Sequence, residues 1–179
     1  MTEDQVIQGC RRGDREAQRT LYALTSDRVY RLVLRMTRNE DDAFDLAQDA
    51  YLRAFERIDQ FDGGSTIATW IYQIAMNEAL QFLRRRRTHE RGLRRHEKAL
   101  RSELQVEEPD ARLDVQEAVA RLPDAERALV VLRYFEGFDY AEMGRILGKP
   151  PGTIASGLNR ARESLRRMLR GEQSLAEET

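Results

Sequence analysis

The stretch DYAEMGRILGKPPGTIASGLNRARESLRRML (139–169) decides how this chain is read. Met143, Ile146 and Leu147 recur at helical spacing, and Asp139 with Glu142 has the spacing of a capping box, so a short helix opens here. Gly148-Lys149-Pro150-Pro151-Gly152 makes a tight turn, after which Ile154, Leu158, Ala161, Leu165 and Leu169 stripe one face of a second helix. Two helices joined by a short Gly-containing turn match the helix–turn–helix unit, whose second helix lies in the DNA major groove with its first residues near base edges. In that placement Thr153, Ser156 and Asn159 offer polar contacts, while Arg160, Arg162, Arg166 and Arg167 meet phosphates. On this stretch alone a plain helical hairpin with solvated arginines stays open.

Upstream, Val115, Ala118, Val119 and Leu122 predict a short helix stopped near Pro123. Ala128, Leu129, Leu132 and Phe135 predict another, ended near Gly137. Residues 112–170 thus read as one small helical domain, followed by an acidic tail (171–179) expected to be disordered. Before it, residues 88–111 are highly charged, weakly periodic and free of aromatics, and close on Glu107-Glu108-Pro109-Asp110, the composition of a linker with some helix in it.

The first 87 residues read as a second helical domain. Val6, Ile7 and Cys10 begin an apolar stripe that Gly13-Asp14 interrupts, with Asp14 placed to cap the next helix. Ala17, Leu21 and Tyr22 follow, and Val29, Leu32, Val33 and Met36 line one face. Ala43, Leu46, Ala47, Ala50, Ala54, Phe55, Ile58 and Phe61 predict a helix of about five turns, with Glu40, Asp41, Asp42, Asp45 and Asp49 as an acidic cluster on its other face. Asp62-Gly63-Gly64-Ser65 breaks it, and Ser65 is placed to cap a helix striped by Ile67, Trp70, Ile71, Ile74 and Ala75 that runs into Arg84-Arg85-Arg86-Arg87. Trp70 lies on the apolar stripe and belongs to the core rather than to a base-stacking platform. The predicted fold is all-α, two small helical domains joined by a flexible linker.

A net charge of −1 does not by itself point to nucleic acid, but its segregation does point to separate surfaces. Residues 84–101 hold nine cations against Glu90 and Glu97, whereas residues 40–49 hold the five acids and no cation. A Gly-containing loop beside a helix ending in four arginines suits single-stranded DNA, since Arg neutralises phosphate while the loop accepts an unstacked base; a solvated helix end accounts for the arginines equally well.

The acidic face lacks His and is too convex to enclose a hard cation, so protein docking or simple solvation is favoured over metal binding. His89 and His96 have no ligand spacing, and Cys10 is the lone cysteine, excluding an internal disulfide. No cofactor, metal or catalytic constellation is expected: the chain has no Walker-type loop, nucleophile elbow or evident pair of acid–base carboxylates. Without an apolar signal core or a run approaching ~20 apolar residues, no membrane insertion is expected and the cytoplasm is the natural compartment.

These segments together resemble the extracytoplasmic-function sigma factors of RNA polymerase. DAFDLAQDAYLRAFERIDQF (42–61) resembles sigma region 2.2, STIATWIYQIAMNEALQFLRRRR (65–87) regions 2.3 and 2.4, and residues 121–169 region 4. The resemblance implies a non-enzymatic initiation factor that binds core polymerase and promoter DNA. Asp45, Leu46, Gln48 and Asp49 would dock on the β′ coiled coil. Asp62, Gly63, Gly64, Ser65 and Thr66 would take up a flipped −10 base, with Asn77 beside that pocket and Arg84, Arg85, Arg86 and Arg87 on −10 DNA. Thr153, Ser156, Asn159, Arg160 and Arg162 would read the −35 element in a domain that also holds the β flap. An anti-sigma protein is a further partner class the resemblance allows.

The chain departs from the family pattern at Ala155 and Gly157, where two cations are usual, and at Gly144, where Ala is usual. Two missing contacts would weaken or alter −35 binding. They also keep open an adaptor that binds polymerase or an anti-sigma protein without reading DNA. A regulator with a receiver domain would need alternating strands and helices in residues 1–87, which read as helical throughout.

Overall fold

The computed structural model describes the backbone of residues 1–98 and 115–176, and side chains over 1–90 and 115–170. Among these residues every regular element is helical: α1 (Glu3–Arg11), α2 (Arg15–Thr37), α3 (Glu40–Glu56), α4 (Ile67–Lys98), α5 (Val115–Arg121), α6 (Asp124–Val130), α7 (Tyr140–Leu147) and α8 (Pro151–Ala176). A 3-10 turn (Ile58–Gln60) follows α3, and a π-helical segment (Val131–Phe135) extends α6.

Local chemistry sets most boundaries. Thr2 and Gln5 close a capping box on α1, Asp14 caps α2 as its sequence position predicts, and Asn39 caps α3 through a bond from Asp42 N. The cap of α4 differs from the expectation. Thr66, not Ser65, accepts from Thr69 N at 3.1 Å, and Glu3 of α1 accepts from Ile67 N at 2.7 Å. The Ser65 hydroxyl instead donates to the Thr66 carbonyl at 3.2 Å. In the second half, Asp139 and Glu142 form the expected capping box and Gly148 closes α7 in the left-handed region.

Two expected boundaries move. α4 continues past Arg87 to Lys98 through the first part of the expected linker, where Arg and Glu favour helix; residues 99–111 of that linker lie outside the described residues. α8 likewise continues to Ala176 through most of the expected tail, since Glu, Gln, Leu and Ala also sustain helix. Residues 177–179 lie outside the described residues.

α1 to α4 pack around Leu21, Val29, Leu32, Met36, Ala50, Ile71 and Met76, all essentially inaccessible. Thr25 and Tyr51 share a 2.6 Å hydrogen bond inside this core, and burial pushes the Tyr51 phenol well above its ordinary range. The buried Glu78 is paired with Arg53 at 3.1 Å.

α5 to α8 enclose a smaller core. One part, Val119, Leu122, Val130 and Ala161, stands alone. The rest, including Leu132, Phe138, Met143, Ile146 and Ile154, is continuous with the core of the first half. The two halves therefore pack against each other, chiefly α7 and α6 on α4 and the π-helical segment on α2.

Candidate functional site

α3 presents the acidic face outward. Its inward side is Ala43, Leu46, Ala47, Ala50 and Ala54, all buried. Asp45, Gln48 and Asp49 are exposed as a docking surface requires. Leu46 is not: at 6 % exposure it belongs to the core and supports the helix from beneath. Phe44 (56 % exposed) and Leu52 (61 %) lie on the same outer side, one turn either side of Gln48. Both are large apolar side chains exposed beside carboxylates. Sequence reading passed over both because they fall between the positions of the apolar stripe; their disagreement with that stripe was the available signal.

The loop after α3 is organised by Asp62, whose Oδ1 accepts from Gly64 N at 2.9 Å, with Gly63 at φ +78°. A side chain at 63 would be strained by that backbone. Asp62, Gly63, Gly64 and Thr66 are exposed and Ser65 is partly buried. Trp70, partly buried, packs on Phe61 with ring centroids 5.6 Å apart, as expected of a core residue.

Asn77, Gln81 and Arg84 to Arg87 are exposed along α4. Arg86 bridges Asp42 at 3.5 Å and Glu90 at 3.1 Å, while Arg87 donates to Asp124 of α6 at 2.9 Å. Asn77, Arg84 and Arg87 form one wall of a cleft, and Pro123, Asp124, Ala125 and Lys149 form the other.

On α8, Thr153, Ser156, Asn159 and Arg160 are exposed on one side of the helix, and Arg162 donates to the Tyr134 hydroxyl at 2.6 Å. Arg162, Arg166, Arg167 and Arg170 gather further along with Asn159 and Glu163. Position 157 requires a correction. Gly157 is buried, and a Cβ there would lie 2.5 Å from Leu129 Cδ1. It faces α6 rather than the groove side, and a Cβ there would require the Leu129 side chain to shift. Gly144 has a similar cause, since a Cβ would lie 2.8 Å from the Lys149 carbonyl across the turn. Of the two missing cations, only the one at partly buried Ala155 bears on an outward surface.

Comparison with known proteins identifies the family. Residues 21–89 match Sigma-70 region 2, and residues 112–165 match Sigma-70, region 4. The chain is 30 % identical over 177 residues to the ECF RNA polymerase sigma factor SigW of Bacillus subtilis, covering 92 % of this chain and 95 % of that one. It is 38 % identical over 153 residues to the ECF sigma factor SigE of Mycolicibacterium smegmatis, covering 79 % and 57 %. Among solved structures, the sigma factor RpoE of Bartonella quintana in complex with the anti-sigma factor NepR superposes with a TM-score of 0.63 at 26 % identity, covering 85 % of this chain and 96 % of that one. CnrH, solved with the cytosolic domain of CnrY, shares the fold with a TM-score of 0.69 at 21 % identity, covering 93 % and 96 %. No described helix is long and apolar enough to cross a membrane. With both sigma regions present in order and a relative matched along nearly its whole length, the chain belongs to the extracytoplasmic-function sigma factors, which bring RNA polymerase to promoters to initiate transcription.

Proposed function

We propose that each of three surfaces performs one step of initiation. The outer side of α3, with Asp45, Gln48 and Asp49 between Phe44 and Leu52, docks on the β′ coiled coil of core polymerase. The exposure of two large apolar residues amid carboxylates carries this assignment. The partner surface it fits is apolar at its centre and cationic at its rim.

The loop Asp62–Thr66 receives an unstacked base of the −10 element, and Asn77 with Arg84 to Arg87 holds the neighbouring strand. Capturing that base offsets an unpairing and unstacking cost of a few kcal/mol. Thr153, Ser156, Asn159 and Arg160 face the −35 duplex, with Arg162 and the later arginines of α8 on phosphates; the same domain holds the β flap. The chain acts by binding and performs no covalent chemistry, with the cytoplasm as its compartment. The complex of the similar RpoE with NepR supports an anti-sigma protein as a further partner class.

The test is transcription in vitro with purified core polymerase, this chain and DNA upstream of its own gene. Discrete initiation is the expected result. Tight core binding without initiation would favour an adaptor that does not read DNA, and the absence of a cation at Ala155 would then be the first feature to examine. Absence of core binding would contradict the assignment to α3.

A further inference from the structure

The loop assigned to the unstacked base is held at both ends by α1, a helix that none of the three surfaces includes. Arg11, the last residue of α1, donates from Nη2 to the Phe61 carbonyl at 2.7 Å, where the chain enters the loop. Glu3, the first residue of α1, accepts from the Ile67 amide at 2.7 Å, where the chain leaves it. The Ile67 amide is one of the donors that open a helix without an intrahelical partner. In both contacts one partner is charged, which makes the bonds stronger than neutral ones. Asp59, the other neighbour of Arg11, is 4.0 Å away and 83 % exposed, so the carbonyl is the stronger partner.

α1 is built as a fixed support. Its nine residues set Glu3 and Arg11 about 12 Å apart along the helix axis. A capping box of Thr2 and Gln5 fixes its start, and Val6, Ile7 and Cys10 are buried beneath it. It lies so close to α2 that a Cβ at Gly9 would collide with Ala17. The bonds within the loop are short-range by contrast: Asp62 accepts from Gly64 N, and Ser65 donates to the Thr66 carbonyl. Left to those bonds alone, the loop would be ordered only as the base arrived, and that entropy would weaken capture. Fixing its two ends beforehand removes part of the cost.

We infer that Arg11 and Glu3 are positioning residues for base capture, with α1 as a strut that sets the two ends of the Asp62–Thr66 loop. They act through the loop backbone, at Phe61 and Ile67. This rests on the reading of that loop as the receiver of the unstacked base.

The experiment uses the full chain bound to core polymerase on DNA upstream of its own gene. The variants are Arg11→Ala and Glu3→Ala, their conservative counterparts Arg11→Lys and Glu3→Gln, and Asp62→Ala inside the loop. Permanganate reactivity of thymines, normalised to bound polymerase, reads unpairing. Core affinity and thermal melting are measured alongside. Both alanine variants of α1 should lower thymine reactivity at least about fivefold, the loss expected of one charged hydrogen bond, with core affinity unchanged. The two substitutions alter net charge in opposite directions, so a shared loss cannot come from attraction to DNA. Glu3→Gln keeps an acceptor oxygen and should recover most of the reactivity, and Arg11→Lys keeps a donor and should recover part of it. In the free chain, hydrogen exchange of the Ile67 amide should quicken at least about fivefold in Glu3→Ala and much less in Glu3→Gln.

Native reactivity in both alanine variants of α1, with Asp62→Ala defective, would overturn the strut and leave the loop as the base receiver. Native reactivity in all three would remove the base-receiving role, and the strut with it. Shifts of opposite sign in Arg11→Ala and Glu3→Ala would reduce both residues to a charge effect and overturn the strut. A loss equal in Glu3→Ala and Glu3→Gln, or one matched by a fall in core affinity, would assign α1 to the fold alone and overturn it as well.

Discussion

The two halves use charge in opposite ways. In α1 to α4 the interior is apolar apart from the hydroxyls of Thr25, Thr37, Thr69 and Tyr51 and the Glu78–Arg53 pair, and the acidic face of α3 and the arginines of α4 project outward. In α5 to α8 the smaller core is completed at its seam with the first half by buried charge. Arg127, 8 % exposed, donates to the carbonyls of Ala120 and Leu122 in its own half and to that of Met36 in the other. Burial draws its guanidinium below the ordinary value, with Asp124 opposing the shift and Arg87 and Arg38 adding to it. Apolar burial tolerates small displacements, whereas a buried ion pair is strongly directional and costly when half broken. The first half is therefore built to keep one shape. The second also depends on buried charge at the seam.

Substitutions in each half should separate these two modes. The largest effect should come from Leu32→Ala, at about 4 kcal/mol for a fully buried leucine. Because the second half leans on the first, urea unfolding should show both halves destabilised together. Arg127→Ala should cost about 3 kcal/mol, since three carbonyls lose a charged donor. Here the loss should fall on the second half, with the near-ultraviolet signal of Trp70 in the first half melting later. Coincident melting in this variant would break the contrast.

Gly157→Ala should destabilise by about 1–3 kcal/mol through collision with Leu129, although Ala is the better helix former. A stabilised variant in thermal melts would show that α8 does not need its close approach to α6. Thr66→Ala should cost about 1 kcal/mol at the start of α4, with the Glu3 cap retained, and hydrogen exchange of the Thr69 amide would locate it. Arg38→Ala should be nearly silent, within about 0.5 kcal/mol, because its pairing with Glu117 is between half-exposed side chains.

Periodicity and caps made most of the fold legible in the sequence. The stripes of α1, α2, α3 and α8 and the caps at Asp14 and Asp139 follow from spacing and residue type. The seam was not legible. Arg28, Arg35 and Arg127 look like solvated helix charges in one dimension, and their acceptors across the seam lie 91 to 108 residues away. Within the candidate site, Asp45, Gln48 and Asp49 were readable as the polar side of a stripe. Leu46 was carried by family resemblance although its spacing places it among the inward residues. Phe44 and Leu52 were hidden because exposure of an apolar residue depends on what packs nearby, which spacing alone does not reveal. Gly157 appeared as a lost cation, whereas its cause is a neighbour 28 residues earlier, Leu129.

The most direct test of the central claim is the affinity of core polymerase for the full chain and for the double variant Gln48→Ala/Asp49→Ala. Both side chains are exposed, so thermal stability should be unchanged. Affinity should fall at least about tenfold, the equivalent of ~1.4 kcal/mol, and promoter-directed initiation should fall with it. Native affinity in the variant would contradict docking through α3.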